Sequence, residues 1–239
     1  MNERKFALFA GTSLLIMAFA AFFSYGFVHG NLVVQGDAST TLHNIQTSSS
    51  LFKAEIFGWI IIFITDIIAS WALYFFLKPI HASFSLLAAC LRLMYTAILG
   101  IAIFNLIFVL LLSKSTVANP EAYTMLFLEA FEYIWSVGLI IFGLHLLTLG
   151  YVTFQSTNIP KTISILLLIA AIGYIIINVM NTMFSQYDAI ISILNVVFQL
   201  PMIAGELGFS IWLLLRGGKK LYCLSRFLIL LNDSGVIPR

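Results

Sequence analysis

The chain has 239 residues, of which 61% are hydrophobic and 9% charged, with a net charge of +2 and a mean hydropathy of +1.04. A soluble domain is about 45–50% apolar and about 25% charged, so a water-soluble globular fold is excluded. The few basic residues mostly flank apolar runs, and nothing in the charge balance points to nucleic acid.

Six apolar segments reach the roughly 20 residues that a bilayer span needs. The first runs from about Phe6 to Val28. Arg4 and Lys5 precede it and Ala18-Phe19-Ala20 resembles a signal-peptide cleavage site, but the run is too long for a signal h-region and reads as a span. A polar stretch, Asn31–Ser50, follows with almost no charge. The second span covers about Leu51–Leu77 and ends at the turn Lys78-Pro79-Ile80-His81, because proline lacks a donor and disfavours helix in the residue before it. The third covers about Ala82–Leu112, and the fourth Glu121–Tyr151 after a loop ending in Pro120. The fifth covers Thr162–Met180 and the sixth Tyr187–Leu215, with Pro201 predicting a kink in the sixth. The fold expected is all-α: a polytopic transmembrane helix bundle spanning residues 1–218, followed by a cytoplasmic tail, 219–239. In that tail Leu221, Leu224, Phe227, Leu228 and Leu231 have the spacing of a short interfacial helix.

Orientation follows from the basic residues near span ends. With the N-terminus inside, the inner ends carry Arg4, Lys5, Lys78, Lys161, Arg216, Lys219, Lys220 and Arg226, and the outer ends only Lys53 and Lys114. The expectation is therefore N-in and C-in.

The charges inside the apolar runs are the informative ones. Burying a charge at the bilayer centre costs at least about 2.5–3.5 kcal/mol, so such residues pair and face the bundle interior. At a rise of 1.5 Å per residue, Asp66, Arg92 and Glu206 all lie about 15–18 Å from the inner ends of their helices. They are expected to form one buried polar layer, with Arg92 bonded to Asp66, Glu206 or both. His145 lies in the inner half of the fourth span and is counted with Asp66, Arg92 and Glu206 as a candidate binding centre, with a hydrogen-bonded packing role as the alternative. An outer acidic set comprises Glu55, Glu129 and Glu132. Glu129 and Glu132 are three apart and share a helix face, where two carboxylates are expected to share a proton. His29, His43 and His81 fall near or beyond span ends. Cys90 reads as a small packing residue, and Cys90 and Cys223 give no disulfide framework.

No H-E-x-x-H, G-x-S-x-G, P-loop or C-x-x-C motif occurs, so no catalytic residue, metal site or cofactor is assigned. Ala72–Pro79, Ser85–Ala89 and Arg92–Tyr95 resemble in order the bacterial membrane family described as domain of unknown function 4386. So do Phe142–Leu147 with Gly150-Tyr151, Ile159–Lys161, Ile172–Tyr174, Gly205–Phe209 and Trp212–Leu214. The resemblance extends from the first span to about Gly218; it implies a multi-pass protein of the bacterial cytoplasmic (inner) membrane and carries no activity. Two functions fit the residues. One is a small ion- or proton-coupled carrier using the intramembrane carboxylates, and the other a non-catalytic interaction or sensory subunit. An intramembrane enzyme, lacking a nucleophile or metal set, is third. The partners expected are membrane lipids and, for a carrier, a small ion or proton.

Overall fold

A computed structural model describes residues 2–184 and 186–219. Among them all regular structure is helical, in seven helices: α1 (Glu3–Leu32), α2 (Ala38–Thr47), α3 (Ser49–Leu77), α4 (Ala82–Leu112), α5 (Pro120–Gln155), α6 (Lys161–Met183) and α7 (Asp188–Leu215). All but α2 are long and apolar enough to cross a bilayer. The protein is a multi-pass membrane protein. The interfacial helix and Cys223 expected in the tail lie outside the described residues.

Helix ends follow local chemistry. Asn119 takes a left-handed conformation (φ 56°) and Pro120 then opens α5, where the missing N–H costs nothing. The ring of His81 accepts the backbone N–H of Phe84 at 3.3 Å and caps α4. Asp37 caps α2, accepting from the backbone N–H of Thr40 at 2.9 Å and its hydroxyl at 2.7 Å. These bonds hold the exposed Asp37 carboxyl below its ordinary value of 3.8.

Each span packs against the next, and α7 returns to α1, so six helices form a closed ring. Without a hydrophobic force between helices in lipid, close van der Waals approach holds such a ring together, and small residues permit it. A Cβ on Gly143 would sit 2.6 Å from Ile175, and one on Gly173 2.7 Å from Phe198. Gly150 faces Leu168, and Gly205 the backbone at Leu166, as closely packed contacts. Gly208, by contrast, has nothing within 4 Å.

Three features depart from the sequence reading. The span ending near Val28 continues to Leu32, with a π-helical segment, Phe22–His29, inside it. The polar Asn31–Ser50 stretch contains α2, which buries Leu42 and Ile45 and lies over α5 and α3. Cys90, expected in the packing, is exposed. We call the side carrying residues 3 and 215 the terminal face, and the opposite side the α2 face.

Candidate functional site

Arg92 projects from α4 into the ring and is 2% exposed. Its Nη2 lies 2.6 Å from Asp66 Oδ1 on α3. Its Nη1 lies 3.0 Å from His145 Nε2 on α5, and its guanidinium sits over the Phe142 ring, 5.3 Å from the centroid. His145 Nδ1 is 2.8 Å from the carbonyl of Ala88. A carbonyl only accepts, so Nδ1 carries the proton and Nε2 accepts from Arg92. Met17 Sδ on α1 lies 3.6 Å from Nη2. One guanidinium thus joins four spans, which explains why a helix can carry Arg at this depth.

Glu206 does not join that ion pair. The three-member layer expected from depth is instead an Asp66–Arg92–His145 cluster with Glu206 elsewhere on the ring. Glu206 Oε1 accepts from the Tyr174 hydroxyl at 2.7 Å, and among the described residues no Lys or Arg pairs with it. Equal depth on non-adjacent helices of a ring leaves a gap between them.

That gap is a cavity of about 1150 Å³. Asp66, Arg92, Tyr95, Glu132, Tyr174 and Glu206 all line it, with Trp59, Trp135 and Phe142 among its apolar walls. Asp66, Glu132, Asp188 and Glu206 face it, against one arginine that Asp66 already neutralises. Glu206 keeps part of its surface open to this space while lying deep in the bundle. Toward the terminal face, beyond the cavity lining, Phe209, Leu213, Leu77 and Leu146 are buried. There Arg4 donates to the carbonyls of Leu213 (3.0 Å) and Gly217 (2.8 Å), tying α1 to the end of α7.

The outer acidic set is rearranged. Glu55 is fully buried, and its Oε1 lies 2.8 Å from His29 Nδ1. His29 Nε2 faces Glu132 Oε1 at 3.4 Å. Glu129 is exposed and, among the described residues, joins no ion pair or hydrogen bond. The expected Glu129–Glu132 pairing is therefore replaced by a Glu55–His29–Glu132 bridge across three helices. A second, smaller cavity of about 400 Å³ opens beside His29 and shares Tyr25, Gly26 and Glu132 with the central one.

His29 is the residue that sequence reasoning missed. Extending the first span by four residues would have put His29 inside it, near the depth of Glu55. The π turn that aims its ring inward has no sequence signature. Tyr174, the partner of Glu206, was also missed, because a lone tyrosine in an apolar helix has no pattern.

The family model described as "Domain of unknown function (DUF4386)" matches residues 9–217, nearly the whole helical ring. The chain belongs to the DUF4386 family. An uncharacterized protein of Archaeoglobus fulgidus is 32% identical over 165 residues, covering 69% of this chain and 85% of that protein. No solved structure matches the chain. The DUF4386 match contains Asp66, Arg92, His145, Tyr174 and Glu206, and also His29, Glu55 and Glu132.

Proposed function

We propose that this DUF4386 protein is a small carrier that binds an organic cation in its central cavity, with Glu206 supplying the counter-charge. The observation that carries this reading is the charge of the lining: once Asp66 is set against Arg92, Glu132, Asp188 and Glu206 remain, with no further Lys or Arg among the lining residues. Aromatic faces at Trp59, Tyr95, Trp135 and Tyr174 add cation–π attraction where water is scarce. The volume suits a small organic molecule rather than a bare ion, since ligand pockets are about 300–1,000 Å³. A carrier must open one face at a time. The packed terminal face and the polar rim at Asp188 and Ser192 fit a state open away from the termini. When the cation leaves, a proton on Glu206 can take its place, which would couple the two. We further propose that the membrane is the bacterial cytoplasmic membrane, with both termini inside.

Hexyltrimethylammonium is a suitable probe, with hexanoate and hexanol as controls of equal tail length. Titration into the protein in nanodiscs, read by tryptophan fluorescence, should show saturable binding of the ammonium only, and Glu206→Gln should abolish it. Equal or tighter binding of hexanoate would overturn the reading. Orientation is tested with Ser39→Cys and Thr157→Cys in a background lacking Cys90 and Cys223. An impermeant maleimide added to whole cells should label the first and not the second.

A further inference from the structure

We infer that the cavity receives its occupant from the lipid phase, sideways between α1 and α7, and that the occupant therefore carries a hydrocarbon chain. This rests on the cavity of the proposed function but not on the charge of the ligand.

The ring is closed unequally. Near the terminal face α1 and α7 are knit together. Arg4 caps α7, Ser210 Oγ donates to the carbonyl of Gly11 at 3.1 Å, and a Cβ on Gly11 would meet Leu214 at 2.8 Å. Farther along, the π-helical segment Phe22–His29 packs chiefly on α3. The first part of α7, Asp188–Leu200, buries only Ile191, and of the six spans α7 buries the smallest share of its residues. Phe198 on Gly173 anchors this part to α6, so its free edge faces α1.

Both edges of the gap line the cavity and are also exposed. Phe22 is 76% exposed on α1, and Val196 and Ile203 are 72% and 50% exposed on α7. A residue that walls a cavity and still shows most of its surface stands at an opening. The two edges also match in depth. Phe22 is 19 residues past Glu3 and Val196 is 19 before Leu215, each about 28 Å from the terminal face. Ile203 is 12 residues before Leu215, or about 18 Å from the same face. With a hydrocarbon core about 30 Å thick, the gap opens mainly onto acyl chains in the leaflet away from the termini.

Chemistry changes along the path inward. The lips are Phe22, Val196 and Ile203, while Ser136, Asn178, Tyr174 and Glu206 lie behind them. A polar solute without a tail would have to cross hydrocarbon to use this opening. An amphiphile can leave its chain between α1 and α7 while its head reaches Glu206 and Tyr174. Pro201 stands between the tightly packed and free parts of α7, where the missing backbone bond lets the free part swing.

Phosphatidylcholine brominated midway along its acyl chains tests this, because bromine quenches tryptophan only at contact. Trp59 and Trp135 line the cavity, whereas Trp71 faces outward and is 44% exposed. The protein carrying Trp71→Phe and Trp212→Phe should be quenched in brominated bilayers through the partly exposed Trp135, while the fully buried Trp59 stays bright. Linking Phe22→Cys to Val196→Cys with a bismaleimide, with Cys90 and Cys223 replaced by Ser, should remove most of that quenching. The same linkage in protein with all four tryptophans gives a difference signal that needs no tryptophan replacement. Cavity tryptophans as bright in brominated as in plain bilayers, or quenching indifferent to the linkage, would overturn the inference. No ammonium ligand is present in these measurements. Quenching without ammonium binding would thus reject only the cation reading, and ammonium binding without quenching only the lateral path.

Discussion

Replacing Arg92 by leucine should be among the most damaging single changes in the bundle. The side chain is 2% exposed and its charge is met by Asp66, itself 1% exposed, at 2.6 Å. Arg92→Leu leaves that carboxylate buried and unpaired, at a cost of about 3–5 kcal/mol. Loss of the cation over Phe142 adds about 0.5–1 kcal/mol. Each kcal/mol moves the midpoint of a chain this size by about 2–4 °C, so a fall of about 10–20 °C is expected. Arg92→Leu combined with Asp66→Leu removes the orphaned charge and should recover most of the loss. What remains is His145 Nε2, buried without its donor, at about 1–3 kcal/mol. Thermal unfolding in one detergent, followed by the loss of monodisperse protein, compares the three proteins. If the double variant is no more stable than Arg92→Leu alone, unpaired charge is not what makes the single change costly.

Further outcomes are expected elsewhere. Gly143→Ala should cost about 1–3 kcal/mol by overpacking against Ile175, whereas Gly208→Ala, with open space around it, should be neutral or stabilising in the same unfolding assay. His29→Ala strips Glu55 of its only side-chain donor among the described residues and should destabilise by about 1–3 kcal/mol; His29→Gln, which keeps an N–H donor, should recover part of this, and equal losses would show that the bond is not responsible. Asp37→Ala should speed amide exchange at Thr40 and Thr41 while leaving the midpoint of the spans unchanged. Because the folded Asp37 carboxyl is held below 3.8, its capping contribution is complete above that value and lost as pH falls through the lowered one, so the protection of the Thr40 amide relative to an unstructured amide should fall only in that acid range.

Spans, loops and the residues needing partners were legible because they rest on local properties. Some 20 apolar residues must be helical in lipid to satisfy their backbone, and Pro79, Pro120 and Pro160 mark where helices stop or begin. A charge such as Arg92 or Asp66 inside such a run demands a partner, and helix rise alone gives its depth. Depth is one coordinate, however, and pairing needs two. Asp66 and Arg92 lie on α3 and α4, neighbours in the ring, and Glu206 lies on α7, across a cavity that no property of a single helix specifies. The angular coordinate fails most where the helix is irregular. The π turn shifts the register after Phe22 and swings His29 toward Glu55 and Glu132, while Glu129, one turn from Glu132, is left facing outward. The sequence by itself determined how many times the chain crosses the membrane and which buried groups require company. The order in which the six helices pack around the ring decided which partners they found and left the cavity between them.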